Sequence, residues 1–111
     1  MRALILVLLL CTACTPQVAQ YKGAMRGTGE QYEWVAVEDS AHGFLITVER
    51  TNGERDTIAA ICKTLLLSQA SAYAGKRGKN IRPINEQRIA MSVGWIGLTP
   101  GCVAQVPVEW Q

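Results

Sequence analysis

Residues 57–74 read TIAAICKTLLLSQASAYA, and their helical spacing is the clearest structural pattern in the chain. Apolar side chains recur every three or four positions, which is typical of a helix with one buried face. Alanine and serine fill most of the other positions and allow close packing on a sheet. Asp56 is the expected N-cap and Gly75 the expected C-cap. The segment therefore predicts a helix with Cys62 on its buried stripe.

The residues before this helix predict a β-hairpin. Residues 32–38 (YEWVAVE) and 44–50 (FLITVER) each alternate between two faces, and residues 39–43 (DSAHG) have the composition of a turn. The apolar face of the second strand carries Phe44, Ile46 and Val48.

The residues after the helix predict two more strands. Residues 86–95 alternate well, residues 97–101 (GLTPG) read as a turn, and residues 102–110 alternate most regularly, with Cys102 on the apolar phase. Pro107 has no N–H group. We therefore expect its strand to lie at the sheet edge, or its nitrogen to point away from the ladder.

Together these elements predict a single small α+β domain of order ββαββ. Its core is a four-stranded antiparallel sheet with one helix packed on one face. Cys62 on the helix and Cys102 on the last strand then point at the same helix–sheet interface. Because the two positions follow from independent periodicities, their coincidence favours a disulfide between them.

The first fourteen residues have the layout of a secretory signal. A positive start precedes an apolar run at residues 3–10 and small residues at 12–13, directly before Cys14. The apolar run is too short to span a bilayer, which takes about 20 residues. A cysteine directly after small residues resembles the signal of bacterial lipoproteins, in which that cysteine becomes the lipidated first residue.

The resemblance implies where the protein is held. Cys14 would carry three acyl chains, and two or more are enough for stable membrane attachment. In families that sort lipoproteins, Asp after the cysteine retains them in the inner membrane, so Thr15 implies the outer membrane. The chain then divides into a signal (1–13), a lipidated N-terminus with a flexible tether (14–30) and the α+β domain (31–111).

Two alternatives to this processing remain open. Processing in the other register would lipidate Cys11, although the bulky Leu10 would then stand where small side chains are favoured. An ordinary cleaved signal would instead release a soluble periplasmic or secreted protein.

The mature chain has a balanced charge and two remaining cysteines. Loss of residues 1–13 leaves 98 of the 111 residues, with ten Lys and Arg against nine Asp and Glu, which argues against general nucleic-acid binding. In the oxidising envelope we expect Cys62 and Cys102 to pair, and their loop of about 40 residues would stabilise the fold by about 4 kcal/mol at most. The alternative is a metal site, but two cysteines and His42 are fewer ligands than such a site needs.

A basic segment follows the predicted helix. Residues 57–85 contain no acidic side chain, and four cations fall within seven positions: Lys76, Arg77, Lys79 and Arg82. On a lipid-anchored protein such a segment is expected to contact anionic lipid, lipopolysaccharide or an envelope protein. The competing interpretation is a solvated loop that complements the helix dipole. An exposed strand edge is the second expected contact.

The sequence predicts neither a catalytic site nor a cofactor. His42 is the single histidine and falls in a turn, without the oriented partners that acid–base catalysis needs. Carboxylates in the first half fall on outer strand faces and turns, where solubility explains them. Of the three tryptophans, Trp34, Trp95 and Trp110, we expect the last to be the most exposed.

The expected function is that of a non-catalytic envelope lipoprotein. It would be a membrane-tethered binding or accessory module in envelope assembly, envelope maintenance or a secretion or conjugation apparatus. The alternative is an inhibitor of a secreted enzyme such as lysozyme, a role that small disulfide-stapled lipoproteins fill. Those inhibitors carry Ser-Gly-x-x-Tyr in a loop, whereas Ser71-Ala72-Tyr73 falls in the predicted helix and lacks the glycine.

Overall fold

The computed structural model describes residues 25–111. The expectations for the signal at residues 1–13, for Cys11 and Cys14 as lipidation sites, and for residues 15–24 of the tether lie outside the described residues.

In the described part of the chain, five antiparallel strands form one sheet, and one long helix packs on one of its faces. The strands are β1 (Arg26–Gly27), β2 (Glu33–Asp39), β3 (Gly43–Arg50), β4 (Ala90–Ile96) and β5 (Thr99–Glu109). They pair in the order β1-β2-β3-β5-β4, and helix α1 spans Ile58–Lys76. For residues 25–111 the α+β class, the single helix and the antiparallel sheet are confirmed, but the sheet has five strands and not four.

Strand β1 is the one that the sequence pattern missed. It lies inside the predicted tether, where Arg26 pairs with Val35 of β2. A tight turn returns the chain to β2, with Gly29 at φ 97° and the Thr28 amide donating to the Glu33 carbonyl at 3.2 Å. Two residues are too few to show an alternation, so periodicity could not reveal this strand.

Strands β2, β3 and β5 build the sheet face that meets the helix. Val37 of β2 pairs with Ile46 of β3, which pairs on its other side with Val106 of β5. Directly opposite residues of antiparallel strands lie on the same face, so each such row adds to one apolar surface. Ile46 and Val106 are fully buried there. The predicted apolar faces of these two strands are therefore confirmed.

Helix α1 begins differently from the prediction. Its N-cap is Thr57, whose side chain makes no capping hydrogen bond. The chain enters the helix through a turn at Glu54, whose carbonyl accepts from the Ile58 amide at 2.9 Å. Asp56 lies within that turn and is not the N-cap, because the turn itself supplies a backbone acceptor for the first helical amide.

The helix also ends later than predicted, at Lys76 instead of before Gly75. Gly78 adopts φ 63°, the left-handed conformation that glycine takes most readily. Its amide donates to the Gly75 carbonyl at 3.1 Å, and the Lys79 amide donates to the Ala74 carbonyl at 3.1 Å. This pair of bonds is a Schellman motif, which satisfies the last carbonyls of the helix.

The predicted disulfide between Cys62 and Cys102 is confirmed, with the two Cα atoms 6.3 Å apart. It joins the first half of α1 to β5. Around it Ile58 and Leu66 of the helix and Val48 of β3 are fully buried, and burial of each such side chain contributes about 1.5–3 kcal/mol. The bridge and this core hold the helix against the middle of the sheet.

The strand predicted at residues 86–95 is shorter than expected. Glu86–Arg88 forms a 3₁₀ turn, capped by Asn85, whose side chain accepts from the Gln87 amide at 3.0 Å. Strand β4 begins only at Ala90. An asparagine that binds a nearby amide offers the backbone an alternative to the strand ladder, which explains the delay.

Strand β5 is an inner strand, so of the two alternatives expected for Pro107 the sheet edge is wrong, and the nitrogen that points away from the ladder is confirmed. It pairs with β3 on one side and with β4 on the other, as far as the pair Ala90–Gln105. Ladder residues alternate between the two sides, and the Trp110 amide donates to the His42 carbonyl on the β3 side. The nitrogen of Pro107 therefore points to the other side, past the end of β4, where the missing N–H leaves no β4 partner unpaired.

The centre of the opposite sheet face is also buried. Thr47 and Gln105, which lie on the face away from the helix, are 1% and 4% exposed. The Gln105 side-chain amide donates to the Thr47 hydroxyl at 2.9 Å, so each satisfies a polar atom of the other. Alanines flank the pair on both sides, at Ala36 and Ala90.

Candidate functional site

Three aromatic rings meet at the C-terminal end of α1. The Phe44 ring lies between Tyr73 and Trp110, at centroid distances of 4.8 and 5.0 Å. The Arg77 guanidinium lies 5.2 Å from the Tyr73 ring centroid, and the Lys79 ammonium lies 5.1 Å from that of Trp110. Both distances are within the range of cation–π attraction. We call these five residues the aromatic–basic cluster.

A hydrogen-bonded network fixes one side of this cluster. The Tyr73 hydroxyl donates to Asp39 Oδ1 at 2.5 Å, and Arg77 donates to Asp39 Oδ2 and to the Tyr73 hydroxyl, both at 2.7 Å. Burial, followed by the hydrogen bond to the Asp39 carboxylate, raises the pKa of Tyr73. The hydrogen bond to Tyr73 and the charge of Asp39 raise the pKa of Arg77. The network therefore joins a neutral phenol to an ion pair at neutral pH.

The other side of the cluster is fastened to the end of β5. Ile81 forms an isolated β-bridge with Trp110. The Arg82 amide donates to the Glu109 carbonyl at 2.9 Å, and its guanidinium lies 3.5 Å from the Glu109 carboxylate. The basic segment after the helix is therefore held against the end of β5 by backbone hydrogen bonds and an ion pair.

The four predicted contact residues are brought to one end of the molecule, but most already have partners. Arg77, Lys79 and Arg82 have the intramolecular contacts described above, whereas the Lys76 side chain makes no ion pair or hydrogen bond with residues 25–111. An anionic partner would compete with the carboxylates that Arg77 and Arg82 already bind. Their contact with lipid or an envelope protein stays a prediction.

The β4–β5 hairpin forms a second surface, which is apolar. Within the described residues, three of the four exposed large apolar side chains lie on it: Val93, Trp95 and Leu98, which are 49%, 69% and 95% exposed. Trp95, and not Trp110, is the most exposed tryptophan, because the ring of Trp110 packs on Phe44. The expectation for Trp110 is wrong for that reason.

Strand β4 also leaves one side of its backbone unpaired among residues 25–111, since it is the last strand in the sheet order. A two-residue turn joins it to β5, which makes Ile96 and Thr99 a hydrogen-bonded pair. By alternation, every second residue of β4 then directs its N–H and C=O groups outward. These residues are Met91, Val93 and Trp95.

One sequence signal indicates this surface. Residues 89–108 contain no charged side chain, between Arg88 and Glu109. Edge strands are usually protected by a lysine, a proline or a bulge, yet β4 (AMSVGWI) carries neither charge nor proline. Pro107 indicates an edge at β5 instead, and the absence of charge is the better indicator here.

The groups with acid–base or metal-binding chemistry are scattered. His42 lies in the turn between β2 and β3, beside a groove that is also lined by Ala41, Arg82, Glu109 and Trp110. Within residues 25–111 no three His, Cys, Asp or Glu side chains are grouped as metal ligands are.

Comparison of the chain with known protein families, with curated proteins and with solved structures finds no match. No helix in the described part of the chain is long and apolar enough to cross a membrane.

Proposed function

We propose that the chain is a non-catalytic bacterial envelope lipoprotein that is tethered to the outer membrane through Cys14 and binds another protein through the β4–β5 hairpin. It would act as a binding or accessory module in envelope assembly, envelope maintenance or a secretion or conjugation apparatus. The observation that carries the binding role is the exposed, uncharged apolar surface of Trp95 and Leu98.

The exposed apolar side chains of this surface favour a role in binding. Contiguous exposed apolar side chains are unfavourable in water and usually mark contact sites. Tryptophan is the side chain most often found at the energetic centre of protein interfaces. Strand β5 of the hairpin is cross-linked to α1 by Cys62–Cys102, so little conformational entropy would be lost when the hairpin binds.

The aromatic–basic cluster supports a secondary contact. Its cations Arg77 and Lys79 lie, together with Arg82, at the end of the molecule opposite the hairpin turn. The side chains of Arg77 and Arg82 remain 48% and 65% exposed. Lys76, Arg77, Lys79 and Arg82 would add attraction to anionic lipid or lipopolysaccharide. Because the ion pairs with Asp39 and Glu109 must be shared or broken, we assign the main contact to the hairpin.

Site-specific photo-crosslinking tests the proposal. A photoreactive amino acid is placed at Leu98 in the full chain, or at Ala72 on the exposed side of α1 as a control. Irradiated cells should give a membrane-associated protein adduct from position 98 and none from position 72. Trp95→Ser should lower the yield from position 98 about tenfold or more, as expected for loss of a central interface tryptophan. Equal yields from both positions would refute the proposal.

The alternative, inhibition of lysozyme, has weaker support. Ser71 and Tyr73 lie within α1, and the Tyr73 hydroxyl is bound to Asp39, so this segment is not presented as a loop. A lysozyme assay with the purified full chain tests the alternative directly, since an inhibitor should reduce lysis at equimolar concentration.

A further inference from the structure

We propose that strand β4 pairs with β4 of a second copy of this chain, antiparallel and centred on Val93. The two five-stranded sheets would then join into one sheet of ten strands. The inference rests on the binding role proposed for the hairpin and names the partner of its strand edge.

The backbone of β4 offers the hydrogen bonds for such pairing. Met91, Val93 and Trp95 point their N–H and C=O groups away from β5, because Ile96–Thr99 and every second pair after it are the hydrogen-bonded pairs of the hairpin. In the centred register Val93 meets Val93, and Met91 meets Trp95 on each side. All of these residues direct their backbone N–H and C=O groups outward. In this register the two strands can therefore form the hydrogen bonds of an antiparallel ladder.

The side chains of β4 are complementary to themselves in the same register. On the helix side of the sheet, Trp95 of one copy would cover Met91 of the other, on either side of the two central Val93 side chains. On the opposite side, Ser92 would meet Gly94, so no large groups collide. Cross-strand pairs of this kind are the units that stabilise a sheet.

The absence of charge favours a second copy. An isologous interface places each residue against its own symmetry mate or a close neighbour, so a single charge at the centre of β4 would repel itself. None occurs in AMSVGWI. A lipid surface would cover the apolar side chains but provides no regular ladder for the outward backbone groups. Strand β4 of a second copy provides both apolar side-chain contacts and partners for the outward backbone groups.

Matched charge substitutions test the pairing. Wild-type full chain, extracted in mild detergent, should sediment as a dimer at micromolar concentration. Val93→Lys should weaken dimerisation at least about 100-fold, because like charges directly opposite each other are strongly unfavourable. Ser71→Lys adds the same charge to the exposed side of α1 and should dimerise as wild type does. A monomeric wild type, or a dimeric Val93→Lys, would overturn the inference.

Cross-linking in cells separates this inference from the proposed function. Paired residues at the centre would have Cα atoms about 5.5 Å apart, within disulfide range. Val93→Cys should therefore form a disulfide-linked homodimer under oxidation, and Ser71→Cys should not. If Val93→Cys yields an adduct only with a different protein, the second copy is wrong and the binding role stands. If position 93 gives no homodimer while photo-crosslinking at Leu98 also gives no adduct, both are wrong.

Discussion

Tyr73 shows how a single side chain joins three parts of the molecule. Its ring packs on Phe44 of β3, its hydroxyl donates to Asp39 at the end of β2, and the same hydroxyl accepts from Arg77 after the helix. The hydrogen bond to Asp39 needs the phenol in its protonated form, whereas the hydrogen bond from Arg77 favours the ionised form. Burial and Asp39 together outweigh Arg77. The pKa of Tyr73 is therefore raised above its ordinary value.

Alkaline unfolding should therefore depend on Tyr73. Because its pKa in the folded state is raised, the related stabilisation is fully present below the ordinary tyrosine pKa of about 10 and is lost as pH rises through the folded-state value. Tyr73→Phe should cost about 1 kcal/mol at neutral pH, the net value of a hydrogen bond, and should reduce the alkaline loss. Urea unfolding from pH 7 to 11 measures both effects.

Tyr32→Phe is the matched control, since Tyr32 is 37% exposed and has no side-chain hydrogen bond among those described. Its alkaline stability profile should follow that of the wild type. If the unfolding free energy of Tyr73→Phe fell with pH in parallel with that of the wild type, ionisation of Tyr73 would not contribute to the alkaline loss of stability.

At the scale of elements, the disulfide decides how firmly α1 is held to the sheet. It closes a loop between residues 40 positions apart, and cross-linking restricts the unfolded chain most when the loop is long. The double variant Cys62→Ala/Cys102→Ala should lose up to about 4 kcal/mol of unfolding free energy. Reduced wild type should lose a similar amount, as measured by urea unfolding with and without reductant. No effect of reductant on the wild type would argue against this role.

Regular elements were predictable because their side chains alternate or recur without interruption. Residues 44–50 and 102–110 predicted the faces of β3 and β5, and residues 57–74 predicted α1, since burial of one face imposes the spacing. Boundaries were less predictable because they depend on single backbone contacts. Gly78 ends the helix by its φ angle, and Asn85 delays β4 by a side-chain hydrogen bond.

The candidate site was predictable in part. The basic segment Lys76–Arg82 is visible in the sequence. Its ion pairs are not, because they join residues more than 25 positions apart, such as Arg77 with Asp39. Pro107 left two alternatives, an edge at β5 or a nitrogen that points away from the ladder, and the sequence could not decide between them because strand order is a property of the whole sheet. Pro107 has no N–H group to donate to a neighbouring strand, and only the position of β4 shows on which side of β5 this donor is missing.

The whole molecule has two different ends. The aromatic–basic cluster lies where β3 begins, near Phe44, and the hairpin turn lies beyond its other end, where Arg50 pairs with Cys102. Phe44 and Arg50 are separated by six steps of a strand, or about 20 Å. The proposed partner at the hairpin and a charged surface at the cluster could therefore be contacted at the same time, as the proposed tethered module requires.

The proposed tethering depends on the cysteine at position 14, and labelled palmitate tests it. Cells that make the full chain should incorporate the label into wild type and Cys11→Ser. Cys14→Ser should carry no label and should leave the membrane fraction, since the anchor is lost. A wild-type chain without label, or a Cys14→Ser chain that stays labelled and membrane-bound, would show that the protein is not a lipoprotein anchored at this residue.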